Sequence, residues 1–244
     1  MLDRVKEIAK SLLLIPIEGD SSDIFLFERS ERLADNCVFI AQLPEVAAKS
    51  SSAELLPLGC AAYLNEAGLA SHLRSNKNSR QSFWADQTDQ LVYLSTEIVN
   101  EHLTGLIPDK TLNKINAIII ASYKNHTDMI EARILSDARN LDDMGIVGLF
   151  NDLKNYFDTG KGINNLLKSW ERKVDYSYWQ SRLNGNFHFG SVKEIAQKRL
   201  YAAQYFMKQL KGEINAADIE KFIKCINKKN KKAEQSPVSE TAPI

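Results

Sequence analysis

The sequence has few of the residues that build covalent or metal-bound frameworks. Its 244 residues include only three cysteines, at positions 37, 60 and 225, with no C-x-x-C pair. This argues against a disulfide framework and a cysteine zinc site, and it is typical of a protein in the reducing cytoplasm. The four histidines show neither H-x-x-x-H nor H-E-x-x-H spacing. Their spacing therefore predicts no histidine zinc site of those types.

The chain also lacks an excess of charge and a long apolar run. Lysine plus arginine equals aspartate plus glutamate, at 31 each, so no global field attracts nucleic acid and DNA binding is not expected. The first apolar run is short and is interrupted by Pro16, without a small-residue cleavage site. We therefore expect no signal peptide, no membrane span and a cytoplasmic location.

Glycine and proline are sparse, at 11 and 6 residues, and apolar and polar residues do not alternate over any long run. Apolar residues instead recur at helical spacing, which predicts an all-α protein with one sizeable core. The predicted helices are Leu2–Leu14, Ser22–Leu43, Ala53–Leu73, Asp86–Leu103, Asp109–Tyr123, Asp128–Asn140, Met144–Phe157, Ile163–Leu183, Val192–Leu210 and Ala216–Asn227.

The predicted organisation has four parts. Residues 1–20 form an N-terminal helix, residues 21–213 the principal helical domain, and residues 214–228 a C-terminal helix. Residues 229–244 are polar, contain prolines and follow a cluster of lysines, so they are predicted to be a disordered tail. The aromatic residues Trp170, Tyr176, Tyr178 and Trp179 are interpreted as core packing rather than as a ligand surface.

Asp137 is the first candidate functional residue. The apolar residues of its predicted helix fall on one stripe: Ile130, Ile134, Ala138 and Leu141. Asp137 borders this stripe, and a buried carboxylate must be paired, hydrogen-bonded or bound to a metal. Two interpretations follow from the helix alone, an ion pair with Arg133 at a partly exposed edge or a carboxylate that faces a pocket.

The surrounding segment resembles the last catalytic segment of the HD phosphohydrolases. In that family, a pattern close to E-A-K-I-L-x-D-A-D-x-L-D-x-x-G-x-x-G carries an aspartate that completes a metal site. The matching residues here are Glu131, Ala132, Ile134, Leu135, Asp137, Ala138, Leu141, Asp142, Gly145 and Gly148. The resemblance implies that Asp137 faces the cleft of the family.

Three further segments resemble the same family in order and spacing. Arg29–Ala34, RSERLA, looks like the opening H-S-x-R-V-A, and Cys60–Gly68, CAAYLNEAG, looks like A-A-L-L-H-D-I-G. Ser177–Glu213 is similar to the C-terminal segment of small bacterial HD proteins. The resemblance spans roughly Ser22 to Glu213 and implies an all-α, HD-domain-like helical bundle.

The resemblance also implies where the metal ligands of the family would fall. The first histidine falls on Arg29, the His-Asp pair on Asn65–Glu66, and the final aspartate on Asp137. A further histidine of many members falls near Tyr123 or, with a small shift, on His126. Only Asp137 is retained, and arginine is always protonated and cannot ligate a cation. The cleft candidates are therefore Arg29, Asn65, Glu66, Tyr123, His126 and Asp137, and no catalytic residue is assigned.

These substitutions favour a vacated metal site. The Arg29 guanidinium is predicted to bridge Asp137 and Glu66, which a lost metal would leave unpaired. The favoured function is that of a non-catalytic ligand-binding or regulatory protein with no cofactor. It would bind a nucleotide-like or phosphate-bearing ligand, with Arg29, Lys124 or Arg139 as charge partners, or a protein partner.

Two alternatives stay open. One is an active metal-dependent phosphohydrolase that acts on a nucleotide or other phosphate ester. It would hold Mn, Fe, Zn, Ni or Mg through a shifted ligand set, Glu66, His126 and Asp137. The other is a dimerising scaffold, and a homodimer is also compatible with the favoured function. Metal content and ligand binding would separate these three functions.

Overall fold

The computed structural model describes residues 1–17, 21–48, 54–75, 89–124 and 126–234 of the chain. Contacts between residues divide the chain into two compact units, residues 1–203 and residues 204–244. Apart from one antiparallel pair of two-residue strands, β1 (Ile15–Pro16) and β2 (Ser22–Asp23), the regular structure of these residues is helical. The predicted all-α class is confirmed.

The described residues form thirteen helices. In chain order they are α1 (Leu2–Leu13), α2 (Phe25–Ala41), α3 (Pro44–Ala47), α4 (Leu55–Leu64), α5 (Ala67–Ser75), α6 (Asp89–Leu103), α7 (Asp109–Ser122), α8 (Ile130–Asp142), α9 (Gly145–Asp158), α10 (Ile163–Asp175), α11 (Tyr178–Gly185), α12 (Gly190–Ile214) and α13 (Ala217–Glu234). Within the described ranges, no helix is long and apolar enough to cross a membrane.

Helix α4 lies at the centre of the first unit. Every residue from Pro57 to Leu64 is buried, and the helix contacts α1, α2, α7 and α8. A helix that is apolar on all sides is typical of a core position. Its C-terminal end leads directly to Asn65 and Glu66, which are also buried. Two polar side chains are thereby placed inside the bundle.

Helices α2 and α8 pack against each other and both carry charged residues on buried faces. In α2, Arg29 lies between the buried residues Leu26 and Leu33 at helical spacing. In α8, Asp137 and Asp142 are buried together with the apolar residues of the helix. Because a buried charge must be compensated, these faces are where polar contacts are expected.

Several predicted boundaries differ from the structure. The predicted helix Ser22–Leu43 begins instead with strand β2, and α2 starts at Phe25. The predicted helix Ala53–Leu73 is two helices separated at Asn65–Glu66, and Ile163–Leu183 is two helices separated near Ser177, whose φ of 52° is left-handed. The predicted starts at Ala53 and Asp86 lie outside the described residues.

The two ends of the chain also differ from the predicted division into parts. Helix α1 belongs to the first compact unit, where it contacts α2, α4 and α5, rather than forming a separate segment. Helix α13 continues to Glu234, so the tail predicted from residue 229 begins as helix. The rest of that predicted tail, residues 235–244, lies outside the described residues.

Candidate functional site

Arg29 lies among three carboxylates inside the first unit. Its Nε atom is 3.3 Å from Glu66 Oε1 and 3.5 Å from Asp142 Oδ2, and its Nη2 atom is 3.0 Å from Asp143 Oδ1. Arg29, Glu66 and Asp142 are 6%, 3% and 1% exposed, so this charge group is largely removed from water. We call these four residues, Arg29, Glu66, Asp142 and Asp143, the Arg29 cluster.

The turn between α8 and α9 positions the acidic side of the Arg29 cluster. Gly145 has a φ of +83°, a conformation that glycine adopts without strain. At Gly148, an added Cβ atom would lie 2.0 Å from the Asp143 carbonyl oxygen, so only glycine allows this close approach. The two glycines of the sequence pattern therefore shape the turn that presents Asp143 to Arg29.

Burial and charge act against each other in the Arg29 cluster. Burial disfavours the charged form of Arg29, but Glu66, Asp143 and Asp142 outweigh it and raise the pKa of the guanidinium. Burial raises the pKa of Glu66, partly opposed by Arg29 and Arg139. Asp143 is also desolvated, yet the positive charges of Arg29 and Arg182 leave its pKa below the ordinary value. Arg29 is thus the fixed positive centre of the cluster.

Arg29 and Asp143 also line a cavity of about 250 Å³. The charged side chains around it are Arg29, Arg139, Lys173, Arg182, Asp143 and Asp152. Four cations therefore face two carboxylates, and Tyr178 and Trp179 add an aromatic wall. Such a lining suits a ligand that carries negative charge.

Asp137 is not part of the Arg29 cluster, and the predicted bridge from Arg29 to Asp137 is wrong. Its carboxylate accepts hydrogen bonds from the backbone N–H groups of His188 (2.9 Å) and Phe189 (3.1 Å). Burial raises the pKa of Asp137 to about 7, although these two hydrogen bonds favour the charged form. Asp137 is fully buried and does not line the cavity. Its partners are in the connection before α12.

The remaining candidates lie in two places. Asn65 and Tyr123 border a small cavity of about 10 Å³ together with Glu66, so three predicted residues do come together there. His126 is exposed and does not line either of these cavities. Burial, followed by the nearby Arg133 and His126, lowers the pKa of His188. Glu66, His126 and Asp137 do not form one ligand set.

Among solved structures, the fold is similar to that of Bacillus subtilis YpgQ. The YpgQ structure in complex with ADP has a TM-score of 0.55 and 18% identity, and the match covers 88% of this chain and 98% of that chain. The match to a second YpgQ structure has a TM-score of 0.57 and 17% identity, and it covers 87% of this chain and 95% of that chain. The match to selenomethionine YpgQ has a TM-score of 0.57 and 16% identity, and it covers 87% of this chain and 93% of that chain. At this identity the likeness shows the fold alone. No protein-family model and no curated protein matches the sequence.

The Arg29 cluster can be tested for its fit to a divalent cation. Such a cation would need to contact the carboxylates that the Arg29 guanidinium already approaches to 3.0–3.5 Å. A cation bound to the same carboxylates would lie close to the guanidinium, and two neighbouring positive charges repel strongly inside a protein, so Arg29 would have to move away first. The residues present therefore do not fit a divalent cation. Within the described part of the chain, no group of three or more His, Cys, Asp or Glu side chains is arranged to hold a metal ion.

Sequence reasoning missed several residues of this site. Asp142 matches the sequence pattern but received no role, and Asp143, Lys173 and Arg182 were not singled out. The consecutive acids Asp142 and Asp143, at the end of a helix that carries buried residues, were the available signal. The aromatic residues predicted as core differ among themselves, because Trp170 and Trp179 are buried whereas Tyr176 and Tyr178 are exposed.

Proposed function

We propose that this chain is a degenerate HD-domain protein with a vacated metal site, and that it binds a phosphate-bearing, nucleotide-like ligand without metal-dependent catalysis. The observation that carries the proposal is the position of Arg29 between Glu66, Asp142 and Asp143. The resemblance aligns Arg29 with the first histidine ligand of the family and Glu66 with the aspartate of its His-Asp pair. A permanent cation thus lies where the family would hold a metal.

The chemistry of arginine supports this interpretation. A guanidinium stays protonated and offers up to five N–H donors in a fixed plane, but it has no lone pair for a metal. Neither Glu66 oxygen accepts a hydrogen bond within the described structure, so its compensation is the charge of Arg29. Removing that charge would leave a buried carboxylate without a partner. Arg29 therefore substitutes for a cation electrostatically without supplying its Lewis acidity.

The ligand class rests on two separate observations. Four cations and two carboxylates line the cavity beside the Arg29 cluster, which favours an anionic ligand. YpgQ, whose fold is similar, has been crystallised in complex with ADP. A nucleotide-like ligand fits both observations. A reducing, cytoplasmic location is part of the proposal, because Cys37, Cys60 and Cys225 are free thiols.

Isothermal titration with ADP in the presence of a chelator tests the proposal. We expect one ADP to bind per chain without metal, adenosine to bind much more weakly, and no phosphate to be released on prolonged incubation with Mn²⁺. Binding that requires Mn²⁺ and leads to phosphate release would contradict the proposal and support the active phosphohydrolase. A chain that binds neither ADP nor inorganic pyrophosphate would also contradict it and favour the dimerising scaffold.

A further inference from the structure

The cations that line the cavity are not equally available to a ligand. Arg29 is surrounded by Glu66, Asp142 and Asp143. A negatively charged ligand group that approached Arg29 would compete with these three carboxylates, two of which are buried. The charge of Arg29 therefore stabilises carboxylates of the protein and is not available as the main contact of a ligand.

Lys173 and Arg182 each form an ion pair with one carboxylate, whereas Arg29 contacts three. Lys173 Nζ is 2.6 Å from Asp152 Oδ2 and lies 5.1 Å from the centre of the Trp179 ring. Arg182 donates to Asn140 Oδ1 (2.8 Å) and lies 3.2 Å from Asp143 Oδ2. Both ion pairs are partly exposed, so water and a ligand can reach them. Lys173 and Arg182 can therefore contact a ligand as secondary partners while each keeps its present carboxylate partner.

Arg139 is different because it forms no ion pair with any carboxylate of the described residues. Its guanidinium lies 3.5 Å from the centre of the Tyr123 ring. Its hydrogen bonds to the described part of the chain run from Nη1 to the hydroxyl and carbonyl oxygens of Ser122. The stacked ring fixes the plane of the guanidinium and lowers the entropy lost on binding. Arg139 therefore presents an oriented cation at the cavity, and no carboxylate of the described residues lies within ion-pair distance of it.

We propose that Arg139 is the primary anion anchor of this cavity and that it donates to a phosphate oxygen of the ligand, with Arg182 and Lys173 as secondary partners. This inference rests on the proposed function and adds the part of the ligand that is recognised. A planar guanidinium forms paired, charge-assisted hydrogen bonds with phosphate, which are stronger than neutral ones. Arg139 is thus a binding residue, and no chemical step is assigned to it.

The size of the cavity indicates which part of the ligand enters it. Its volume of about 250 Å³ is below the range of roughly 300–1,000 Å³ that is typical of pockets for whole drug-sized ligands. This volume suits the diphosphate end of a nucleotide better than a whole nucleotide, and the partly exposed Tyr178 of the lining is available to the nucleoside. Inorganic pyrophosphate alone should supply most of the affinity.

The test is isothermal titration of the full chain with ADP, pyrophosphate and adenosine, using wild type, Arg139→Gln and Arg133→Gln. Arg133 is the matched control because it lies on the same helix, pairs with the exposed Asp128 and does not line the cavity. We expect Arg139→Gln to weaken the binding of ADP and of pyrophosphate by at least about 10-fold, because the ligand loses one charged hydrogen-bond partner. Arg133→Gln should stay within about 2-fold of wild type for both ligands.

The outcomes separate this inference from the proposed function. If wild type binds neither ADP nor pyrophosphate, the proposed function fails and the anchor fails with it. If wild type binds both and Arg139→Gln binds them equally well, the anchor is wrong while the proposed function stands. Adenosine binding as tightly as ADP would also overturn the anchor. Thermal unfolding checks that Arg139→Gln is folded, and Arg139→Lys, which keeps the charge, provides a second variant with an expected intermediate affinity.

Discussion

Two of the buried acidic residues of helix α8, Asp137 and Asp142, are compensated in different ways. Asp137 is held by two backbone N–H groups, from His188 and Phe189. Asp142 is held by two arginines of α2, Arg32 at 2.8 Å and Arg29 at 3.5 Å. The following residue, Asp143, is 3.0 Å from the Arg29 guanidinium. The first contact joins α8 to the connection before α12, whereas the second joins it to α2 and borders the cavity.

This difference teaches that a motif carboxylate can be structural even when its neighbours in sequence line the candidate site. Backbone N–H groups compensate a carboxylate without adding a charged side chain, so Asp137 can join two parts of the fold without taking part in the cavity. Compensation by an arginine instead leaves further N–H donors and a permanent charge, which suits a site that meets a ligand. The predictions below separate these two roles.

Arg29→Met should give the largest effect. It removes the charge that compensates three carboxylates, two of them buried, and breaking a buried ion pair costs about 3–5 kcal/mol. Urea unfolding measures the loss. Arg32→Met is the matched control, because Arg32 contacts the same Asp142 at 2.8 Å but its side chain is 35% exposed, so about 1 kcal/mol or less is expected. Equal losses in the two variants would contradict the special role of Arg29.

Asp137→Asn should give an intermediate effect. An amide offers one acceptor oxygen instead of two and turns an N–H group toward a backbone N–H, which costs about 1–3 kcal/mol. Urea unfolding at several pH values checks both the loss and its pH dependence. ADP affinity should be unchanged, because Asp137 does not line the cavity.

The sign of the pH dependence follows from burial. In the folded protein the Asp137 pKa is raised from 3.8 to about 7, so the folded state binds the proton more tightly than the unfolded state. Its contribution to stability is complete below about pH 4 and is lost as the pH rises through about 7. Because asparagine does not titrate, the stability gap between wild type and Asp137→Asn should narrow between pH 5 and pH 8. A widening gap would mean that the two hydrogen bonds outweigh burial.

His126→Ala should give the smallest effect. His126 is exposed and lines neither of the two cavities that border the Arg29 cluster, so the change in unfolding free energy should be within about 0.5 kcal/mol. Its effect on ADP affinity should be equally small. A large loss of ligand or metal binding would revive the ligand set of Glu66, His126 and Asp137.

The sequence predicted the elements better than their interruptions. Helical periodicity located most of the helices, but it did not reveal the break at Asn65–Glu66. There, Ser95 of α6 accepts a hydrogen bond from Gly68 N (2.9 Å) and its hydroxyl lies 3.0 Å from the Asn65 carbonyl oxygen. That break depends on a residue distant in sequence, which local propensity does not include. The left-handed conformation of Ser177 was missed because serine does not signal it.

The candidate site was predicted in part. The proximity of Arg29 and Glu66 is as expected, since both were placed by resemblance to segments of fixed order. The direction of Asp137 was not predictable from one apolar stripe, because α8 is buried on several sides and has polar partners on more than one of them. Lys173 lies just before the break near Ser177 and Arg182 lies just after it. Their positions therefore depend on a turn that the sequence did not reveal.

Metal content tests the central claim, that the Arg29 guanidinium takes the place of a metal. Protein purified without chelator would be equilibrated with Mn²⁺, Fe²⁺, Zn²⁺ or Ni²⁺, separated from free ion and analysed for bound metal, alongside Glu66→Gln. We predict far less than one ion per chain in both proteins, because Arg29 already compensates the carboxylates. Close to one ion per wild-type chain that is lost in Glu66→Gln would contradict the account and point to a working metal centre.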